Sequence, residues 1–149
     1  MKILIVHLLR LGDIILSAPV ISGLKEKYPN AELHFLAFKG FSQVEELFKE
    51  SIHWHWIDRD GLQEALKDAD RPFFHAQDRL EHGLRPLREY KFDRVYNLTQ
   101  NKMSGWVCNY IEGGETTGLH FDNRAQARFG SPWFQYLNDH VAAGRGEVF

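Results

Sequence analysis

Cysteine is nearly missing from this sequence: Cys108 stands alone among 149 residues. One thiol excludes an internal disulfide framework and any cysteine-built zinc cluster, and its isolation fits a reducing compartment. Long hydrophobic runs are missing too. The longest near the N-terminus, residues 3–9, is broken by His7 and followed by Arg10, too short for a membrane span and without the flanks of a signal peptide. No charge of one sign dominates. Lys and Arg number 18 against 20 Asp and Glu, for a net charge of −2, which excludes a general nucleic-acid binder. Neither glycine fingerprint of nucleotide sites, G-x-G-x-x-G or G-x-x-x-x-G-K-S/T, occurs, and there is no internal repeat or low-complexity tract. What is present is globular: 44% apolar residues, 26% charged, and 13% aromatic with eleven Phe and four Trp. The expectation is one soluble, cytoplasmic domain over residues 1–149.

Ile3-Leu4-Ile5-Val6 reads as a strand buried on both faces, as in a parallel sheet. After Leu11-Gly12-Asp13 the apolar period lengthens to three and four residues (Ile14, Ala18, Ile21, Leu24), and Lys25 and Lys27 follow in the last turn. That is an amphipathic helix. Pro19 either kinks it or separates a short turn at 13–16 from a helix capped by Ser17. Residues 32–38 read as a second strand. Ser42-x-x-Glu45 has capping-box spacing and predicts a helix to about Phe48. A third strand is expected at 52–57, then a turn at Asp60-Gly61 and weak helix to about Ala69. Helix follows over 72–88, a fourth strand at 94–98, helix at 103–111 and a fifth strand at 118–121. Ser131-Pro132 opens a last helix to about Ala143. Alternating strands and helices predict an α/β fold, a Rossmann-like doubly wound parallel sheet with helices on both faces.

In such a sheet ligands sit at the carboxyl ends of the strands. This selects residues 9–13, 58–61 and 97–102. Gly12 lets backbone come close to a ligand, beside a helix N-terminus suited to phosphate. Asp13 has two compatible readings, an N-cap and a general base aimed at a substrate hydroxyl. Arg10 either contacts an anionic group or faces solvent. His53 and His55 share a strand face with Trp54 and Trp56 opposite, and no third metal ligand is evident. Asp58-Arg59-Asp60 matches the Asp-x-Asp of metal-dependent sugar transferases, but Gly61 after it favours a turn. Asn97-Leu98-Thr99 matches the glycosylation pattern by chance. Cys108 reads as a core residue. Residues 71–102 hold seven basic and four acidic side chains, net +3, a solvated or anion-facing surface.

Lys2-Ile3-Leu4-Ile5-Val6, Leu11-Gly12-Asp13-Ile14-Ile15-Leu16, Pro19, Leu24 and Tyr28-Pro29-Asn30-Ala31-Glu32 together resemble the opening of glycosyltransferase family 9, the ADP-heptose:lipopolysaccharide heptosyltransferases and their relatives. Phe92-Asp93-Arg94-Val95-Tyr96-Asn97-Leu98-Thr99 with Ser104 is similar to the family's fourth-strand segment, and Gly118, Trp133, Tyr136 and Leu137 form a weaker third match. The resemblance implies the N-terminal, acceptor-side half of a two-domain GT-B fold. The nucleotide-sugar half would then lie outside residues 1–149, and Val148-Phe149 reads as the start of a further element.

The resemblance also implies a metal-independent, inverting transfer with no cofactor and with a nucleotide sugar such as ADP-heptose as donor. Asp13 matches the general base, and Arg10, Gly12, Asn97, Thr99 and Lys102 are the expected substrate contacts. The implied acceptor is an anionic glycolipid of the lipopolysaccharide core, reached by peripheral contact with the inner membrane. The isolated chain is expected not to turn over. His7 stands where many members carry Lys or Arg, and Leu9 and Arg10 where they carry small residues, so another sugar or acceptor stays open. The alternatives are a stand-alone flavodoxin-like binding or signalling domain and a family member that binds glycan without catalysis.

Overall fold

A computed structural model describes residues 1–67 and 70–142, the side chains of 141 and 142 excepted. The strands β1 (Lys2–Val6), β2 (Glu32–Phe38), β3 (His53–Ile57), β4 (Arg94–Asn97) and β5 (Glu115–Thr117) form one sheet in the order β3-β2-β1-β4-β5. All its pairings are parallel, with Val6 opposite Leu36 on one side and Asn97 on the other. The Rossmann-like expectation is met. A flavodoxin-like sheet would run 2-1-3-4-5, so that alternative fails on strand order.

The central strand β1 is almost wholly apolar because helices cover both its faces. On one face, Ile3, Ile5, Leu33, Phe35 and Ala37 pack against Ile14, Ile21 and Leu24. These three come from α1 (Leu11–Leu16) and α2 (Ala18–Lys27). On the other, Leu4, Val6, Leu36, Phe38 and Val95 meet Leu84 and Leu87 of α4 (Pro72–Glu89) and Val107, Cys108 and Ile111 of α5 (Lys102–Ile111). Each such buried aliphatic side chain contributes about 1.5–3 kcal/mol. Helix α5 leaves the carboxyl end of β4 directly. Helix α4 returns the chain to the start of β4, so the N-termini of α4 and α5 both lie at the carboxyl edge of the sheet.

The break at Pro19 resolves as two helices. Ser17 ends α1, its hydroxyl donating to the Ile14 carbonyl at 2.6 Å rather than capping α2, and Pro19 sits in the first turn of α2. The capping box at Ser42 is not formed. The segment Lys39–Leu47 is a 3-10 helix that starts earlier and bends at Phe41, and Glu45 instead accepts from Trp56 Nε1 at 3.1 Å. The expected turn at Asp60-Gly61 is the first turn of α3 (Arg59–Ala65), capped by Asp58, which accepts from the Gly61 N–H at 3.1 Å. A Cβ at Gly61 would stand 2.6 Å from Asp58 Oδ2, so a larger residue there would shift the capping carboxylate.

The fifth strand is displaced from its expected place. It is Glu115–Thr117, while His120–Phe121 (β6) pairs antiparallel with Ala127–Arg128 (β7) in a separate hairpin. Ser131 does cap α6 (Pro132–Leu137), accepting from the Phe134 N–H at 3.3 Å. The expected helix ends at 69 and 143 and the element suggested by 146–149 lie outside the described residues.

Candidate functional site

Strand order reverses between β1 and β4: the chain runs outward from β1 to β2 and β3, then returns on the other side of β1. At such a switch point the loops leaving the two strands diverge and open a crevice. After β1 come Arg10 and, in the first turn of α1, Gly12 and Asp13; Asn97 ends β4, Thr99 lies in the loop that follows and Lys102 opens α5. The fold therefore brings all six expected site residues to one edge, from stretches some 90 residues apart. Two bonds tie the loops together: Leu98 N–H to the Val6 carbonyl at 2.9 Å and Leu8 N–H to Thr99 Oγ1 at 2.8 Å.

Asp13 is not the N-cap. Arg10 holds that position in extended conformation, and Asp13 is the third residue of α1, where its Oδ2 accepts from the Arg10 N–H at 3.4 Å. An acid in the first turn complements the helix dipole. The bond is long, and the side chain is only partly buried, so its remaining lone pairs are open to a ligand. Helix α1 has six residues, so its dipole is small. Gly12 is exposed, and a Cβ built on it meets nothing within 4 Å. What its missing side chain keeps open is the space in front of α1.

Asn97 and Thr99 reach the edge but not its surface, because both are fully buried. Asn97 Nδ2 donates to Ser104 Oγ at 2.9 Å and to the Leu119 carbonyl at 2.6 Å, and its Oδ1 accepts from the Thr99 N–H at 3.0 Å. The Ser104 hydroxyl lies 2.9 Å from the Thr99 carbonyl and 3.0 Å from that of Asn101. Every polar group of this network is spent inward. The two residues shape the loop after β4 rather than line a pocket, and the buried Asn97 is no glycosylation acceptor. Gly118 closes the same network at φ +95°, where a Cβ would run into the Asn97 carbonyl. Lys102 is exposed at the start of α5.

Two neighbours carry no role in the sequence reading. His7 ends the β1 run, 6% exposed, with its Nδ1 unpartnered. Burial pulls its imidazole below the usual range while the Asp13 charge pulls the other way. Gln100 holds both amide atoms buried and unpartnered. The signal for His7 is in the sequence, a polar residue closing an apolar strand at the ligand end.

The remaining chemistry lies elsewhere. His53 and His55 share a face, and His34 joins them. Its Nδ1 lies 2.8 Å from His55 Nε2 and its Nε2 2.8 Å from Glu32 Oε1, and its ring stacks on both others. This cluster sits toward the amino end of the sheet, away from Asp13. Cys108 is core, its thiol pushed up to about 12 by burial. A cleft of about 450 Å³ opens between the loops after β2 and β3, lined by Lys39, Gly40, Asp58 and Arg59. It lies on the same edge as Asp13.

No family model matches the chain. Over 116 residues, 78% of its length, it is 26% identical to lipopolysaccharide heptosyltransferase 3 of Escherichia coli, of which the match covers 32%. The crystal structure of a glycosyl transferase family 9 protein from Veillonella parvula superposes with a TM-score of 0.64 at 22% identity, over 80% of this chain and 32% of that one. E. coli heptosyltransferase WaaC with ADP-2-deoxy-2-fluoro heptose gives 0.64 at 16% identity, over 87% and 39%. The chain spans about a third of the length of the curated relative. The α/β fold is that of these transferases, and the resemblance to glycosyltransferase family 9 holds in both sequence and structure.

Proposed function

We propose that this chain is the acceptor-side half of a two-domain glycosyltransferase that moves a sugar, heptose from ADP-heptose, onto a growing lipopolysaccharide core at the cytoplasmic face of the inner membrane. The observation that carries the reading is the placement of Asp13. It stands in the first turn after the central strand, at the switch point, part-exposed, with one long hydrogen bond and open space in front of Gly12.

Asp13 is the general base. As the acceptor hydroxyl attacks the anomeric carbon, its proton passes to the carboxylate, the carbon–oxygen bond to the nucleoside diphosphate breaks, and the configuration inverts. No metal is required, because the leaving diphosphate is stabilised by the facing domain. The Arg10 N–H bond holds the carboxylate against α1. The exposed cations Arg10 and Lys102 draw in the anionic acceptor. Asn97 and Thr99 act one layer down, fixing the loop that presents Lys102. Donor and acceptor react only when held together, so the isolated chain does not turn over.

The test is an assay of the full-length polypeptide with ADP-, UDP- and GDP-sugars and a truncated lipopolysaccharide acceptor, following nucleoside diphosphate release. Acceptor-dependent release from ADP-heptose is expected. Release from another donor alone would replace the sugar in this reading, and release from none would overturn it.

A further inference from the structure

We propose that His7 and Gln100 bind hydroxyl groups of a neutral sugar ring in the crevice beside Asp13, and so fix which hydroxyl of that ring faces the carboxylate. Among the described residues, three buried side-chain nitrogens and oxygens have no hydrogen-bond partner: His7 Nδ1, Gln100 Nε2 and Gln100 Oε1. Buried polar atoms are almost always paired, because an unpaired one has lost its water and gained nothing in return. All three fall just beyond the carboxyl ends of β1 and β4, at the switch point of the sheet. His7 directly follows β1, and its N–H prolongs the ladder to the Leu36 carbonyl at 2.9 Å. Strand alternation puts it on the face of Ile3 and Ile5, the face that Ile14 of α1 covers, and the Asp13 charge is felt there. Val6 and Leu8, on either side of His7, are bonded to Leu98 and Thr99. Gln100 is the next residue, so the two strand ends carry both orphaned side chains to the same crevice.

Hydrogen bonding sets Gln100 apart from its neighbours. Asn97 is bonded to Ser104 and to the Thr99 N–H, Thr99 Oγ1 accepts from the Leu8 N–H, and Asn101 Oδ1 accepts from the Ser104 N–H. The Gln100 amide has no partner, on a residue that is itself only partly buried. It breaks no bond when its side chain turns toward the crevice by a change of rotamer. The chemistry on offer is that of a hydroxyl. A glutamine amide presents donors on one atom and an acceptor on the other, and a neutral imidazole presents one of each. Adjacent sugar hydroxyls, which both donate and accept, satisfy these groups together. An anion is not matched. Burial pulls the His7 imidazole below the usual range, so it is uncharged at neutral pH, Gln100 carries no charge, and Asp13 adds a negative one on the same face. The inference deepens the transferase reading and rests on it, since the ring held here is the one whose hydroxyl Asp13 deprotonates.

The experiment is an NMR titration of the chain, with no donor present, against the oligosaccharide of a truncated lipopolysaccharide freed of its acyl chains and phosphates, and separately against inorganic phosphate. Urea unfolding of the same proteins is measured without ligand. Gln100→Leu keeps nearly the same volume and removes both unpaired atoms. It should raise the urea midpoint and yet weaken oligosaccharide binding about three- to tenfold, the worth of a net hydrogen bond. His7→Leu should weaken binding in the same sense, and His7→Asn, which keeps a polar atom near the Nδ1 position, should restore it. Neither Leu variant should change the response to phosphate. A glutamine that serves the fold through an internal water would behave in the opposite way, with a lowered midpoint and unchanged binding in Gln100→Leu. That result, a wild-type chain with no affinity for the oligosaccharide, or a loss of phosphate binding equal to the loss of sugar binding would overturn the proposal. Turnover is not measured. A full-length protein that binds the oligosaccharide through Gln100 and never releases nucleoside diphosphate would sink the transferase reading and leave the sugar site standing.

Discussion

Acid should unfold this domain from the amino end of its sheet, through the histidine stack. His55 lies on β3 with its Nε2 2.8 Å from His34 Nδ1, and burial first, then the charges of His34 and His53, hold its imidazole down at about 4. His34 is lowered in the same sense by its own burial, against the pull of Glu32. Lys2 adds positive charge nearby, and Tyr90 packs edge-on against both rings. A histidine depressed in the folded state binds fewer protons there than in the unfolded chain near 6.5. Stability therefore rises with pH, and it is lost as pH falls from about 6.5 toward 4. For His55 alone the loss between pH 7.5 and 5 is about 2 kcal/mol, worth roughly 4–8 °C in melting temperature for a domain this size. His34 adds to it with the same sign. The assay is thermal or urea unfolding by circular dichroism at pH 7.5, 6 and 5, with His55→Gln beside wild type. Glutamine keeps a polar partner for His34 and does not titrate, so the variant should lose about 2 kcal/mol of the acid sensitivity. Wild-type stability that is flat over this range, or an equal slope in the variant, would refute the reasoning.

Three further outcomes follow from the same geometry. Asn97→Ala removes the partner of the Thr99 N–H and of the Leu119 carbonyl and one of the bonds to the Ser104 hydroxyl in the interior and should cost about 2–4 kcal/mol in urea unfolding. Gly12→Ala meets no atom within 4 Å, so stability should stay within about 0.5 kcal/mol while acceptor KM in the full-length protein rises. Cys108, 3% exposed with its thiol held near 12, should resist a disulfide reagent in the native chain and react promptly in urea.

The sheet was legible in the sequence where burial is two-sided. The stretch Ile3-Leu4-Ile5-Val6 is written in apolar residues because helices cover both faces, residues 32–38 showed as a strand through looser alternation interrupted by Glu32 and His34, and the Ser131-Pro132 pair marked α6 through local chemistry alone. The fifth strand was misplaced because Glu115-Thr116-Thr117 sits at the sheet edge and carries no hydrophobic signal, whereas the apolar Leu119 and Phe121 serve the α5 side of a hairpin. Ser42 and Glu45 had the spacing of a cap, but Trp56 offered Glu45 a tertiary partner that spacing cannot reveal. At the site, position was legible and orientation was not. The strand-end rule selected stretches that the fold brings to one edge of the sheet, while only the folded backbone shows Asn97 and Thr99 turning inward and Asp13 one turn inside its helix. His34 escaped notice because its partners lie 2 and 21 residues away.

The claim that Asp13 is the base of a sugar transfer is met most directly by the turnover of Asp13→Asn in the full-length protein, with donor and acceptor saturating. Asparagine preserves the shape and the acceptor oxygen facing the Arg10 N–H, so folding should match wild type. Turnover should fall about 10²–10⁴-fold, the usual worth of a positioned base. A variant that folds normally and turns over within about twofold of wild type, against that expected loss, would contradict the account.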